Sequence, residues 1–245
     1  MQLLKTQELQ QTIIVTGAAG GMGRQCCLYL AELGWQVLAI DHNEQRLKQF
    51  NHSSIHTLQT DLAANDLVEQ VQKQLKSFPA LWGLVNLAGI SKGQNIENLS
   101  LENWQYSFDV NVTAAFKLIQ MSSTLMQQNG GGSIVNVSSP VGYIGTKKPS
   151  YAASKAALHG LTMSCARNLG ASGIRVNLLL PGTTITEMTK DWSTERQHAI
   201  AEDTLLKRLC TPQEVAESIA FLLSKHSRYM TGSILDMTCG SMWGH

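Results

Sequence analysis

Tyr151 and Lys155 stand four residues apart in the run Y-A-A-S-K, a spacing that puts both on one face of a helix. A phenol has an ordinary pKa of about 10 and is a poor base at neutral pH, but an ammonium beside it stabilises the phenolate and brings it into use. The pair alone also fits a surface aromatic with a lysine stem packed along it. A second cluster, Thr16-Gly17-Ala18-Ala19-Gly20-Gly21-Met22-Gly23, follows an apolar run and opens a helical pattern. Glycine there permits a tight turn, lets the main chain approach a pyrophosphate and leaves helix N–H groups free for an anion. Steric needs of a strand-to-helix turn explain such glycines equally well on their own. Asp41 closes the next apolar run, VLAID, 24 residues after Gly17. An acid at that place accepts hydrogen bonds from the adenosine ribose and repels a 2′-phosphate; an aspartate at a strand end also caps ordinary turns. The turn has no Lys or Arg before Gly21, and Arg24 lies just inside the helix, so the balance favours NAD over NADP.

These residues need elements to hold them. Apolar runs of strand length at 12–16, 36–40, 54–58, 83–88, 133–138, 174–180 and 233–237 alternate with helical patterns at 20–33, 66–77, 101–128, 151–170 and 212–225. Strict alternation implies βαβ crossovers and a mostly parallel sheet with helices on both faces, in one domain spanning 1–245. Gly170 is placed to end the Tyr151 helix in a left-handed conformation. Thr211-Pro212 with Glu214 offers a cap, a first-turn proline and an acid near the positive helix end. The stretch 183–208 is less regular and sets Met188, Trp192 and Ile200 among polar residues, the pattern of a substrate lid.

Composition narrows the classes. The 245 residues carry 19 Lys+Arg against 18 Asp+Glu, and 43% are hydrophobic. This is a globular chain without the basic surplus of a nucleic-acid binder. The five cysteines are odd in number, Cys26 and Cys27 are adjacent, and no C-x-x-C pair or zinc spacing occurs, so neither a disulfide framework nor a metal site is expected. The polar start MQLLKTQELQQ does not read as a signal peptide, and no apolar stretch spans a bilayer. The expectation is a cytoplasmic protein acting on a small molecule, with no nucleic-acid or membrane partner.

Over nearly its whole length the chain resembles the short-chain dehydrogenase/reductase family. The resemblance is carried, in order, by TGAAGGMG (16–23), NLAG (86–89), Asn111 in DVNVTAAF, the serines of IVNVSS (134–139), YAASK (151–155) and PGTTITEM (181–188). It implies an α/β, single-domain, doubly wound Rossmann fold with a seven-stranded parallel sheet, a nicotinamide cofactor, and usually a homotetramer, otherwise a homodimer. It implies that Tyr151 is the general acid/base, that Lys155 holds the nicotinamide ribose and lowers the Tyr151 pKa, that Ser139 hydrogen-bonds the substrate oxygen, and that Asn111 holds a water linking Lys155 to solvent. For the cofactor it implies Gly17, Gly21, Met22 and Gly23 at the pyrophosphate, Asp41 at the ribose, and Asp61 and Leu62 at the adenine. Asn86, Ala88 and Gly89 would line it, with Tyr151 and Lys155 beside them and Pro181, Gly182, Thr184 and Thr186 towards the nicotinamide carboxamide.

Three positions depart from the family pattern. Ser139 lies one residue closer to Tyr151 than is usual, whereas Ser138 keeps the usual count. Ser139 is preferred, because the loop GYIGTKKPS absorbs a deletion more easily than a strand end changes register. Leu87 replaces a commoner asparagine, and Cys239 stands in DMTCGSMW, where a structural buried thiol is expected. The sequence therefore reads as an oxidoreductase interconverting a secondary alcohol and a ketone with NAD(H) in preference to NADP(H). Much of it also resembles 3-oxoacyl-acyl-carrier-protein reductases, which mostly use NADPH; Asp41 counts against that alternative. A non-catalytic dinucleotide-binding scaffold would lose the proton-transfer residues, and here both Tyr151 and Lys155 are present.

Overall fold

Ile13 and Val15 are buried on one side of strand β1 (Thr12–Thr16) and Ile14 on the other. A strand with no polar face needs cover on both sides. It takes its place in a seven-stranded, all-parallel sheet with β2 (Gln36–Asp41), β3 (Ile55–Gln59), β4 (Leu81–Asn86), β5 (Gly132–Val137), β6 (Ile174–Pro181) and β7 (Ile234–Met237), in the order β3-β2-β1-β4-β5-β6-β7. The computed structural model describes residues 11–93, 95–186, 189 and 192–242. Residues 1–10, Glu187 and Met188 of the PGTTITEM motif, and positions 190 and 191 of the expected lid lie outside the described residues.

The helices are α1 (Gly21–Glu32), α2 (Glu44–Leu47), α3 (Leu67–Leu75), α4 (Leu101–Phe108) and α5 (Ala114–Gln128). They continue with α6 (Val141–Ile144), α7 (Pro149–Leu169), α8 (Thr194–Glu202) and α9 (Pro212–Leu223). Cys26 and Leu30 of α1 and Val215 and Ile219 of α9 fill one face of the sheet. Leu67 and Val71 of α3, Leu118 and Met126 of α5 and Ala166 of α7 fill the other. Strand order reverses between β1 and β4, and in doubly wound sheets the crevice beyond the carboxyl ends at that switch takes the ligand. None of the described helices is long and apolar enough to cross a membrane.

A buried polar ladder fixes α7 against the sheet. Asn86 Nδ2 donates to Asn136 Oδ1 at 2.8 Å, Asn136 Nδ2 to Thr162 Oγ1 at 2.9 Å, and Thr162 to the Leu158 carbonyl at 2.7 Å. The Asn86 Oδ1 at the ladder's end has no partner among the described residues, but linked hydrogen bonds in a dry interior favour one arrangement, so the Tyr151 helix is held in one rotation over β4 and β5.

Local signals held at the start of α9, where Thr211 and Glu214 form a reciprocal capping box with Pro212 in the first turn. Arg208 joins them, and its guanidinium is the first cause holding the Glu214 carboxyl down to about 2. Three expectations changed. The helical stretch 101–128 is broken by a π-helical turn over Asp109–Thr113 that contains Asn111; such turns cluster at functional sites. Gly170 is right-handed at φ −59°, because the chain first tightens into a 3-10 turn; the left-handed residue that turns into β6 is Gly173 at φ 72°. Cys239 is half-buried, itself left-handed at φ 55°, and its Sγ accepts from the Leu206 N–H at 3.3 Å. Its thiol therefore braces the end of the 183–208 stretch rather than filling the core.

Candidate active site

The glycine turn is built for close approach of main chains. Gly17 has φ +70°, and a Cβ there would lie 2.7 Å from Ala88 Cα. A side chain at Gly23 would run into the Gly17 carbonyl. Gly20 caps α1 without a side-chain acceptor, and the first turn holds no acidic residue, so its N–H groups and positive end suit an external anion. Thr16 fastens the turn to the neighbouring loop, its Oγ1 accepting from the Leu87 and Ala88 N–H groups at 3.2 Å each.

Beyond this turn lies a cavity of about 430 Å³, within the range of about 300–1,000 Å³ usual for small-molecule sites. Gly17, Gly21, Met22, Gly23, Asp41, Asp61, Leu62, Ala88, Gly89 and Thr186 line it, all expected from the sequence. Asp41 is buried; its Oδ2 accepts from the Ala19 N–H at 3.0 Å and its Oδ1 from the Asn43 N–H at 2.9 Å. Both readings of this acid therefore meet in one side chain: it caps the following turn and it faces the cavity, with exposed His42 Nδ1 at 3.2 Å. Asp61 accepts from the Ala63 N–H at 2.9 Å and from the Tyr106 hydroxyl at 3.4 Å.

At the far end of the cavity Gly89 meets the cluster on α7. Lys155 is buried, with Nζ donating to the Val137 carbonyl at 2.8 Å and standing 5.9 Å from the Tyr151 ring centroid. Strand β5 ends at Val137, so the two serines that follow part company. Ser138 turns inward and donates to the Lys155 carbonyl at 2.8 Å, whereas Ser139 stands beside the Tyr151 phenol and lowers its pKa, its Oγ accepting from the Val141 N–H at 3.4 Å. Asn111 is buried in the π turn; its Oδ1 accepts from the Ile90 N–H at 2.8 Å, and its Nδ2 donates to the Ile90 carbonyl at 3.0 Å and to Ser154 Oγ at 2.9 Å.

Comparison with known proteins gives the family. The family model described as short chain dehydrogenase matches residues 11–197. The chain belongs to the short-chain dehydrogenase family. It is 31% identical over 241 residues to a 3-oxoacyl-acyl-carrier-protein reductase of Staphylococcus epidermidis, covering 95% of this chain and 99% of that one. Among solved structures it is similar to 4-hydroxyisoleucine dehydrogenase complexed with NADH, with 29% identity, a TM-score of 0.89, and coverage of 96% and 100%. It is also similar to a putative NAD(P)-dependent gluconate 5-dehydrogenase from Beutenbergia cavernae with bound NADP at low occupancy, with 29% identity, a TM-score of 0.86, and coverage of 97% and 98%.

Not every residue expected of a short-chain dehydrogenase site faces the cavity. Asn86 turns its amide into the buried ladder, because it shares a sheet face with Asn136, its partner in register. Pro181 ends β6 outside the lining, Thr184 donates to the Gly182 carbonyl at 3.0 Å, and Gly182 borders a separate cavity of about 240 Å³. Sequence reasoning missed Arg46, Lys92 and Tyr106, which line the main cavity. No spacing marks them, since each comes from a different loop or helix.

Burial dominates the electrostatics of the Tyr151–Lys155 pair. Burial is the largest influence on the Tyr151 phenol and raises its pKa; the opposing influence is the hydrogen bond from Ser139, which lowers it. Burial also draws the Lys155 ammonium down from 10.5 to about 8. The donor set nevertheless fits a dinucleotide: a glycine cradle that Cβ atoms would fill, an unblocked helix start, a carboxylate at the adenosine end, and a lysine beside Gly89.

Proposed function

We propose that this short-chain dehydrogenase interconverts a secondary alcohol and a ketone with NAD(H), using Tyr151 as general acid/base. The observation that carries the reading is buried Lys155, packed against Gly89 at the end of the glycine-lined cavity with its Nζ 5.9 Å from the Tyr151 ring, and Ser139 beside the phenol. A bound nicotinamide supplies the hydride chemistry. In oxidation the Tyr151 phenolate takes the hydroxyl proton of the substrate; in reduction the phenol returns it. The single Ser139 proton turns from the phenol to the substrate oxygen as charge develops there. Lys155 holds the nicotinamide ribose, and Asn111 fixes Ile90 and Ser154 around it and carries the linking water. The stretch 183–208 serves as the lid, with Thr186 against Gly21 and exposed Ile185, Leu205 and Leu206 offering apolar surface. A homotetramer, which light scattering would test, completes the proposal.

Preference for NAD(H) rests on Asp41, whose buried carboxylate faces the adenosine end and opposes a 2′-phosphate. The second reading, an NADPH-dependent 3-oxoacyl-acyl-carrier-protein reductase, draws support from the staphylococcal relative. Steady-state rates with both cofactors on a panel of secondary alcohols and on acetoacetyl-CoA separate the two; a strong NADPH preference overturns the use of Asp41. Tyr151→Phe should keep NAD binding and lose turnover by a factor on the order of 10² or more. Undiminished turnover in that variant refutes Tyr151 as the acid/base.

A further inference from the structure

We infer that His159 is a positioning residue of this site, acting through Ser138 and Tyr143 to hold the Ser139 hydroxyl against the Tyr151 phenol. The inference rests on the acid/base reading of Tyr151. His159 follows Tyr151 and Lys155 on α7 by successive steps of four residues, so the three lie along one face. Its Nε2 stands 3.0 Å from Ser138 Oγ, and that oxygen already donates to the Lys155 carbonyl at 2.8 Å. With the serine proton committed, the bond is completed by His159 donating from Nε2, which a neutral imidazole does. Burial of His159 lowers its pKa and favours that neutral form.

The same imidazole clamps the far side of the segment. Its ring packs on Tyr143 of α6 with centroids 4.3 Å apart at 57°. Next to it, a Cβ on Gly142 would lie 2.9 Å from the Ala156 nitrogen and 3.0 Å from the Lys155 carbonyl carbon, so α6 rests directly on the α7 backbone. Ser139 sits between these two anchors, Ser138 on one side and Gly142-Tyr143 on the other. Its direct holds, the Val141 N–H on its Oγ at 3.4 Å and the Gly142 N–H on its carbonyl at 3.0 Å, come from α6, which is one turn long and contains no buried residue. Displacements of about 1 Å in such a site cost on the order of 10² in rate. Among the described residues, the titratable groups beside the imidazole are Tyr143 on α6 and, one turn back on its own helix, Lys155.

The test reads Tyr151 directly. Ultraviolet difference titration of each protein against its Tyr151→Phe counterpart isolates the phenol. His159→Leu should raise the Tyr151 pKa, because the lowering by Ser139 is lost, and should match Ser139→Ala; combining the two should add nothing further. His159→Gln, which can present an N–H near the Nε2 position, should restore most of the shift. Acetoacetyl-CoA reduction with NADH should lose about tenfold in kcat in His159→Leu while KM for NADH stays put. Should His159→Leu fail to fold, Tyr143→Ala removes the stacking partner from the half-exposed side and should raise the Tyr151 pKa in the same direction. An unmoved Tyr151 titration alongside a lowered Tm makes His159 a packing residue and overturns the inference. Since the titration needs no turnover, a failed acid/base reading is seen separately, in Tyr151→Phe.

Discussion

Gly89 and Lys155 meet with no side chain between them: a Cβ on Gly89 would stand 2.9 Å from Lys155 Nζ and 3.3 Å from its Cε. The lysine end is held on its other side by the Val137 carbonyl. It therefore has little room to yield to added bulk. Gly89→Ala should overpack this contact, destabilise by about 1–3 kcal/mol, and weaken both dinucleotide binding and turnover by on the order of tenfold. Calorimetric titration with NAD and steady-state kinetics check this. Unaltered NAD affinity and kcat together would show that Lys155 adapts without consequence.

Lys155 also sets a pH dependence of stability. Burial makes its ammonium costly and brings its folded pKa to about 8, below the ordinary 10.5. Between those values the unfolded chain keeps a proton that the folded chain has released, so stability rises with pH across that window. Below it the full penalty remains. Lys155→Met cannot titrate and should lack the trend. Wild type should gain on the variant by roughly 3 kcal/mol from the lower to the upper end of the window, measured by urea unfolding at stepped pH. A flat difference would mean the ammonium is better solvated than its burial implies.

What could be read from the sequence was whatever local spacing determines. Period and order placed all seven strands and the five long helical segments, because apolar alternation follows the core whatever surrounds it. The glycine turn, Asp41 and the Tyr151–Lys155 pair were legible because backbone approach and helix spacing act over a few residues. Orientation was not. NLAG named Asn86 but could not tell that the pleat would turn its amide to Asn136, a partner 50 residues away. Gly170 and Gly173 are both plausible helix stops, and the choice between them depended on a 3-10 turn that no residue announces. His159, lone in an apolar helix, had no motif to mark it; its role depends on Ser138 and Tyr143, which only the tertiary fold brings to it.

Asp41 does two things at once, and a substitution should separate them. Asp41→Ala removes the charge that opposes a 2′-phosphate and should narrow the NAD over NADP preference by on the order of tenfold. It also leaves the Ala19 and Asn43 N–H groups without their acceptor, which should cost about 1–3 kcal/mol. Binding constants for NAD and NADP, with Tm recorded beside them, test both effects. A lower Tm with unchanged selectivity would make Asp41 a turn-holding residue and place discrimination elsewhere.

The two adjacent serines should respond very differently to loss of their hydroxyls. Ser139 stands beside the Tyr151 phenol and lowers its pKa, and in the proposed reaction its one proton turns to the substrate oxygen. Ser139→Ala should therefore lower kcat by a factor on the order of 10²–10³, the usual effect of removing a donor aimed at developing charge. Ser138 instead donates to the Lys155 main chain and touches no reacting atom, so Ser138→Ala should act only through the placement of its neighbour, by about tenfold. Stopped-flow single turnovers with saturating NADH separate chemistry from release in both variants. If Ser138→Ala proves the more damaging in the chemical step, the missing residue lies in the strand end rather than in the loop before Tyr151, and the catalytic hydroxyl moves back by one position.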